Sequence, residues 1–155
     1  MSERTMRAAR FHGVDTPIRI EDVSYPEAGP GEVVVRVAAC GICGSDLHFF
    51  GDLPTLMPPP CVMGHEPAGV IESLGEGITE WAPGDRVALH VGRGCGERRA
   101  CRSDHPTCCA SLQAPRLTID SAISHRLRLD EVASGLEMLR TKRGNPDRIV
   151  VEPGL

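Results

Sequence analysis

The sequence predicts a mainly β domain with a few helices, and three observations carry that prediction. Glycine (17) and proline (13) recur at short intervals along the 155 residues, which suits many short strands joined by turns rather than a helical bundle. The run Val33-Val34-Val35-Arg36-Val37 is β-branched at all but one position, and such side chains are stiff at χ1 and fit a pleated, half-buried surface. Aromatic residues make up 3% against 41% for all hydrophobic types, so Val, Leu, Ile and Ala must fill the core. A chain of 155 residues has room for one domain with its own core and is short for two.

In chain order, Met6 to Phe11 and Ile18 to Val23 read as short strands on either side of a turn from Gly13 to Pro17. Pro26 to Gly31 is a Pro/Gly-rich loop, and Glu32 to Ala39 the β-branched strand. Pro54 to Pro60 contains four prolines, which exclude regular structure and predict a rigid surface loop. Pro67 to Leu74 alternates as a strand; Gly75-Glu76-Gly77 and then Pro83-Gly84-Asp85 turn the chain into Arg86 to Leu89. Further on, Asp130 is a good N-cap for a helix with Val132, Leu136 and Leu139 on one face, ended by Gly144 and Pro146. Arg140, Lys142 and Arg143 suit the negative end of its dipole. Arg148 to Pro153 reads as a final strand. A lone helix and strand cannot bury enough surface to offset their ordering entropy. Residues 117 to 153 should therefore pack on the preceding β structure through Val132, Leu136 and Leu139.

A net charge of -4 argues against nucleic acid as the main partner. The stretch Met1-Ser2-Glu3-Arg4-Thr5 lacks the apolar core of a signal peptide, and no apolar run approaches membrane-spanning length, so a cytoplasmic location is expected. The seven cysteines are then better read as metal ligands or buried thiols than as a disulfide framework.

The chemistry concentrates between Cys40 and Glu66. Cys43, His65 and Glu66 offer a thiolate, an imidazole and a carboxylate, a borderline-soft set that suits zinc and leaves a fourth tetrahedral position open. In the run Gly41-Ile42-Cys43-Gly44-Ser45-Asp46-Leu47-His48, Ser45 and His48 add a hydroxyl and a second imidazole that can pass a proton outward. Taken singly, a Cys is more often a small buried hydrophobe and a His a hydrogen-bonded structural residue; here they occur together.

Gly41 to His48 followed by Gly64-His65-Glu66 resembles the zinc-dependent medium-chain alcohol and polyol dehydrogenases, whose pattern is G-x-C-G-S/T-D-x-H and then G-H-E. The resemblance implies an irregular β-barrel of the GroES-like type. It also implies that Cys43 and His65 are catalytic zinc ligands, with Glu66 a ligand or close carboxylate as in the sorbitol and butanediol branch. Ser45 and His48 would form the proton relay, and Asp46 would orient a ligand. Zinc is the expected cofactor; NAD or NADP, and a small alcohol or polyol substrate, are implied by resemblance only. A homo-oligomer is compatible with it.

The family also carries a lobe that binds a structural zinc through C-x2-C-x2-C-x7-C. Cys95, Cys101 and Cys109 fall on its first, third and fourth positions, and Arg98 occupies the second. A closed site needs four ligands, so this lobe is degenerate unless Cys108 or His105 substitutes. The other reading is a loose lobe of reduced cysteines with Arg93, Arg98, Arg99 and Arg102 as a solvated basic face.

After Cys109 the resemblance breaks. The last barrel strands and the doubly wound cofactor domain of the family are expected to be missing, since no G-x-G-x-x-G occurs anywhere in the sequence. The predicted organisation is a GroES-like zinc-binding catalytic domain over residues 1–109, a junction at 110–118 where the cofactor domain is absent, and a C-terminal tail over 119–155 that packs back on the same domain. Two functions follow: the catalytic portion of an alcohol or polyol dehydrogenase, inactive as an isolated chain, or a non-catalytic zinc-binding module. A third reading is a chain that does not fold stably, since a barrel short of strands would leave exposed edges open to pairing with another chain.

Overall fold

The computed structural model describes residues 4–50, 59–89, 123–146 and 148–155, the side chains of residues 48–50 apart. The fold is mostly strands, arranged as two sheets. β1 (Thr5–Phe11) pairs antiparallel with β2 (Arg19–Ser24), from Thr5 opposite Ser24 to Arg10 opposite Arg19. Gly13, at φ +140°, and a hydrogen bond from Thr16 N–H to the Gly13 carbonyl close the connecting turn. The two-residue strand β4 (Cys61–Val62) flanks β1 on its other side.

The larger sheet is centred on β3 (Val33–Ile42) and β5 (Glu66–Leu74), with β6 (Arg86–Ala88) beyond β5. β3 continues past the expected end at Ala39, because Cys40 and Gly41 gain partners on both sides and Ile42 on one. On one side stand Glu66 and Pro67; on the other stands β8 (Ile149–Val151), with Cys40 opposite Val151 and Ile42 opposite Ile149. β7 (His125–Leu127) lies parallel to β8 at the edge. The register between β3 and β5 slips at Val34/Val35 and at Val37/Ala39. At the second slip a Cβ on Gly69 would overlap the Arg36 carbonyl, which explains a glycine inside a strand.

The expected C-terminal helix forms as α1 (Val132–Thr141), with both ends different from the sequence reading. Asp130 is not its N-cap. Leu129–Glu131 makes a short 3₁₀ turn first, in which the Arg128 N–H donates to the Glu131 carboxylate at 2.8 Å, and Glu131 then stands at the N-cap of α1 without a side-chain cap hydrogen bond. At the other end Lys142 takes the left-handed conformation (φ 56°) and stops the helix before Gly144. Leu136 and Leu139 are buried as expected and Val132 is half-buried. Gly135 approaches so closely that a Cβ there would lie 2.6 Å from Leu127 and 2.9 Å from Ile42. Among the described residues, β8 thus ladders with β3, and α1 lies against Ile42 and Ile149.

Ile71, Ile149, Phe11 and Val87 are the most deeply buried apolar residues. The two sheets are joined at one end by a polar latch. Tyr25 O–H donates to Glu72 Oε2 at 2.7 Å, Arg4 donates to Glu72 Oε1 at 3.1 Å, and the Arg4 guanidinium stacks 3.6 Å from the centre of the Tyr25 ring. The hydrogen bond to Glu72 pushes the Tyr25 phenol up and holds the Glu72 carboxyl below its ordinary range. Between the sheets lies a cavity of about 730 Å³, lined among others by Met6, Val34, Ile42, Leu136 and Val151. Among the described residues the sheets stay open and no closed barrel forms. Among those residues, too, no helix is long and apolar enough to cross a membrane.

Candidate metal centre

Where β3 ends, Cys43 leads into a 3₁₀ turn over Gly44–Phe50. The turn is closed by Asp46, whose N–H donates to the Cys43 carbonyl at 3.0 Å while its Oδ2 accepts from the Cys43 N–H at 2.8 Å. A short polar side chain that bonds backbone three residues away favours this turn over continued strand. Asp46 is 3% exposed, and its second oxygen faces His65 Nδ1 at 3.2 Å. A buried carboxylate is an acceptor, so Nδ1 carries the hydrogen and Nε2 is left with its lone pair. Ser45 Oγ lies 3.0 Å from that Nε2.

His65 and Glu66 enter from the opposite strand. Gly64 precedes them at φ +107°, and a Cβ there would stand 2.8 Å from Cys40 Sγ, so glycine is required twice over. Glu66 opens β5 directly opposite Gly41. A Cβ on Gly41 would overlap the Glu66 carboxylate, so the missing side chain makes the space that Glu66 occupies. On its outer side Glu66 Oε2 accepts from the Arg148 guanidinium at 3.0 Å.

One ligand atom each from Cys43, His65 and Glu66 all lie within 4.8 Å of one another. Ligand atoms around tetrahedral zinc stand roughly 3.5 Å apart, given bond lengths of about 2.0 to 2.3 Å, so small side-chain rotations would close the set on an ion. The electrostatics match. Hydrogen bonds from the Ser45 side chain and backbone hold the Cys43 thiol below its ordinary value, against burial, with a further contribution from His65. Burial alone would lower the His65 imidazole, but the charge of Asp46 and hydrogen bonds to Cys43 and Asp46 outweigh it and hold it above 6.5. Cys40, by contrast, is pushed up by burial, lines the cavity between the sheets and behaves as an apolar filler.

The structure therefore brings together Cys43, His65 and Glu66, with Ser45 and Asp46 both touching His65. The backbone of His48 lies in the 3₁₀ turn. Cys95, Cys101 and Cys109, together with Arg98, His105, Cys108 and the junction at 110–118, lie outside the described residues, as does most of Pro54 to Pro60. Sequence reasoning missed Arg148, which reaches Glu66 across a separation of 82 residues and carries no local motif. It also gave no role to Gly41 and Gly64, although a glycine inside a strand pattern signals close approach of another group.

The chain is similar to a group of known proteins. The family model described as the alcohol dehydrogenase GroES-like domain matches residues 29–126. An alcohol dehydrogenase of Moraxella sp. is 36% identical over 121 residues, which cover 77% of this chain and 36% of that protein. A sorbitol dehydrogenase of Bacillus subtilis is 36% identical over 113 residues, 71% of this chain and 32% of that protein. Among solved structures, the alcohol dehydrogenase of Aeropyrum pernix superposes with a TM-score of 0.57 at 39% identity, covering 63% of this chain and 30% of that one. The chain spans about a third of the length of such relatives. Motif and similarity converge: the chain belongs to the zinc-type medium-chain alcohol dehydrogenase family, and its residues 29–126 match that family's GroES-like domain.

Proposed function

We propose that this chain is the catalytic-domain portion of a zinc-dependent dehydrogenase that oxidises a secondary alcohol or polyol, with hydride passing to NAD or NADP. The observation that supports this most is the convergence of Cys43, His65 and Glu66 within 4.8 Å, backed by Asp46, which bonds both the Cys43 backbone and the His65 ring. Those three residues would hold the ion. Zinc bound there would supply Lewis-acid polarisation of the alcohol.

The chain's own groups do the rest. Asp46 fixes the His65 tautomer so that Nε2 points into the site, and holding the ring also raises its basicity as a ligand. Ser45, exposed and within 3.0 Å of the imidazole, is the hydroxyl placed to accept a substrate proton and hand it outward, with His48 as the next carrier. Arg148 balances the charge of Glu66. What the described residues lack is a holder for a nicotinamide, and proximity of hydride donor and acceptor supplies much of the rate of such a transfer. The chain by itself should therefore turn over alcohols poorly. A small alcohol or polyol is the partner, in the cytoplasm where thiols stay reduced, with no role for nucleic acid or membrane.

The second reading is a zinc-binding module without catalysis. It is favoured by the position of the three ligands, with Cys43 just past the end of β3 and His65 and Glu66 at the start of β5, where an ion would cross-link the two strands and contribute folding energy. Metal analysis and cofactor reduction separate the two. The purified chain should carry about one zinc ion, lost on Cys43→Ala and little changed by Cys101→Ala. Incubated with NAD or NADP and a panel of secondary alcohols and diols, it should give little reduced cofactor. Zinc-dependent turnover abolished by Cys43→Ala would show that this chain or its oligomer completes a cofactor site; absence of zinc would sink the reading altogether.

A further inference from the structure

We infer that Arg148 is a positioning residue for the metal centre: by engaging one oxygen of Glu66 it leaves the other directed toward Cys43 and His65. The inference rests on the zinc reading above and assigns part of the site to the far end of the chain.

Glu66 is the ligand with the fewest constraints of its own. Cys43 is fixed by the turn that Asp46 closes, and His65 by the Asp46 carboxylate. The Glu66 side chain has the space left by Gly41 on one side and Arg148 on the other. Among the described residues Arg148 is the cation paired with it, at 3.0 Å to Oε2. A single guanidinium donor on a carboxylate oxygen makes a charge-assisted hydrogen bond, which holds that oxygen on the Arg148 side.

Arg148 is itself held. Its N–H donates to Ser124 Oγ at 3.1 Å, and its carbonyl accepts from Ser124 N–H, Ser124 Oγ and His125 N–H at 2.9, 3.0 and 3.3 Å. The next residue, Ile149, is 0% exposed and stands opposite Ile42 at the end of β3. The guanidinium is therefore presented from a backbone clamped on two sides, one residue from the buried ladder that leads into Cys43. Both members of the pair are partly exposed, at 47% for Arg148 and 33% for Glu66. Such pairs add little to stability, so the consequence of this one is orientation. Groups that orient a ligand from behind typically change metal affinity 10- to 100-fold when removed.

The test is zinc affinity by chelator competition on the full chain, compared among the unaltered protein, Arg148→Gln, Glu66→Gln and the double variant. Arg148→Gln should weaken binding about 10- to 100-fold, Glu66→Gln at least as much, and the double variant no more than Glu66→Gln alone. With cobalt(II) as probe, the visible bands of Arg148→Gln should resemble those of Glu66→Gln, since both lose the oriented carboxylate. Unchanged affinity in Arg148→Gln would overturn the inference. So would an equal loss with and without Glu66, because that marks a role in docking the tail alone. Should Arg148→Gln not fold, Arg148→Lys carries the test: a several-fold loss that vanishes in the Glu66→Gln background supports the assignment, and any other pattern overturns it. A chain that binds no zinc refutes the zinc reading and this inference with it, an outcome distinct from zinc bound indifferently to Arg148.

Discussion

The corner around Cys43 and the space between the two sheets lie side by side, with β3 facing both, yet they are built in opposite ways. In the corner, Asp46 spends one oxygen on Cys43 and the other on His65, and Glu66 is matched by Arg148. Among the described residues no buried side-chain polar atom lacks a partner. Between the sheets there is instead a cavity of about 730 Å³, and three of the residues that line it, Met6, Val37 and Val62, are 37%, 38% and 47% exposed. Hydrogen bonds have narrow geometric tolerance, and an unpaired buried polar group is costly. A polar cluster is therefore either complete or unstable. Apolar contacts are graded, and an apolar surface can stay partly uncovered at modest cost. Chemistry is thus specified more sharply than packing in this chain.

The largest effect that would test the contrast is on the packed side of the corner. Ile149 is fully buried on β8, so Ile149→Ala should cost about 2 to 5 kcal/mol by urea denaturation. It should loosen the ladder opposite Ile42 as well. Val62→Ala, at an exposed edge, should stay within about 0.5 kcal/mol. Equal costs at the two positions would mean that the cavity face is as well covered in solution as the tail.

The same contrast explains what could be read from the sequence. Cys43, His65 and Glu66 were legible because their residue types sit in two short motifs, and the strands because their β-branched runs are local. The end of β3 lies beyond the sequence reading because Cys40 and Gly41 are held between β5 and β8 and Ile42 by β8 alone, more than a hundred residues on, and no local pattern reports a partner that distant. The start of α1 is displaced from Asp130 because a 3₁₀ turn over Leu129–Glu131, closed by the Glu131 carboxylate on the Arg128 N–H, precedes it, a shift of one residue that propensity does not resolve. Arg148 was read only as the start of a strand, since an exposed arginine is ordinary until its partner is known.

Within the corner, Asp46→Asn should come next in size. The amide can still accept from the Cys43 N–H, so the turn should persist, but an NH₂ group facing His65 Nδ1 favours the opposite tautomer and turns a hydrogen toward the site. Zinc affinity should fall about 10- to 100-fold with little change in the circular dichroism of the chain. Loss of fold in this variant would show that Asp46 serves the turn more than the ligand.

A smaller effect is expected from pH in the metal-free chain. The His65 imidazole is held above its ordinary 6.5 by Asp46 and Cys43 despite burial. A group raised in the folded state contributes stability that is complete below its unfolded value and fades as pH rises through the folded one. The stability difference between the unaltered chain and His65→Gln should therefore be greatest below about pH 6.5 and shrink as pH rises above it. Cys43, lowered from 9.0, has the opposite sign: its contribution is complete above the unfolded value and is lost as pH falls through the folded one. A difference that grows with pH would contradict the arrangement around His65.

The smallest change should come at the cavity rim, and it is the most direct probe of that side of the comparison. Val37 lines the cavity yet is 38% exposed, so part of its side chain already meets water. Val37→Thr keeps the β-branched shape and the χ1 restriction that suit a strand and exchanges one methyl for a hydroxyl. Where the group is solvated the hydroxyl keeps its hydrogen bonds to water, and the cost should be within about 0.5 kcal/mol. Where the face is covered, the same hydroxyl would be buried without a partner and cost about 1 to 3 kcal/mol. Urea midpoints at two protein concentrations distinguish these cases. A small, concentration-independent change would confirm that the sheets stand open to solvent at Val37. A cost above about 1 kcal/mol that grows with protein concentration would show that the face is covered by a second chain, because association stabilises by mass action.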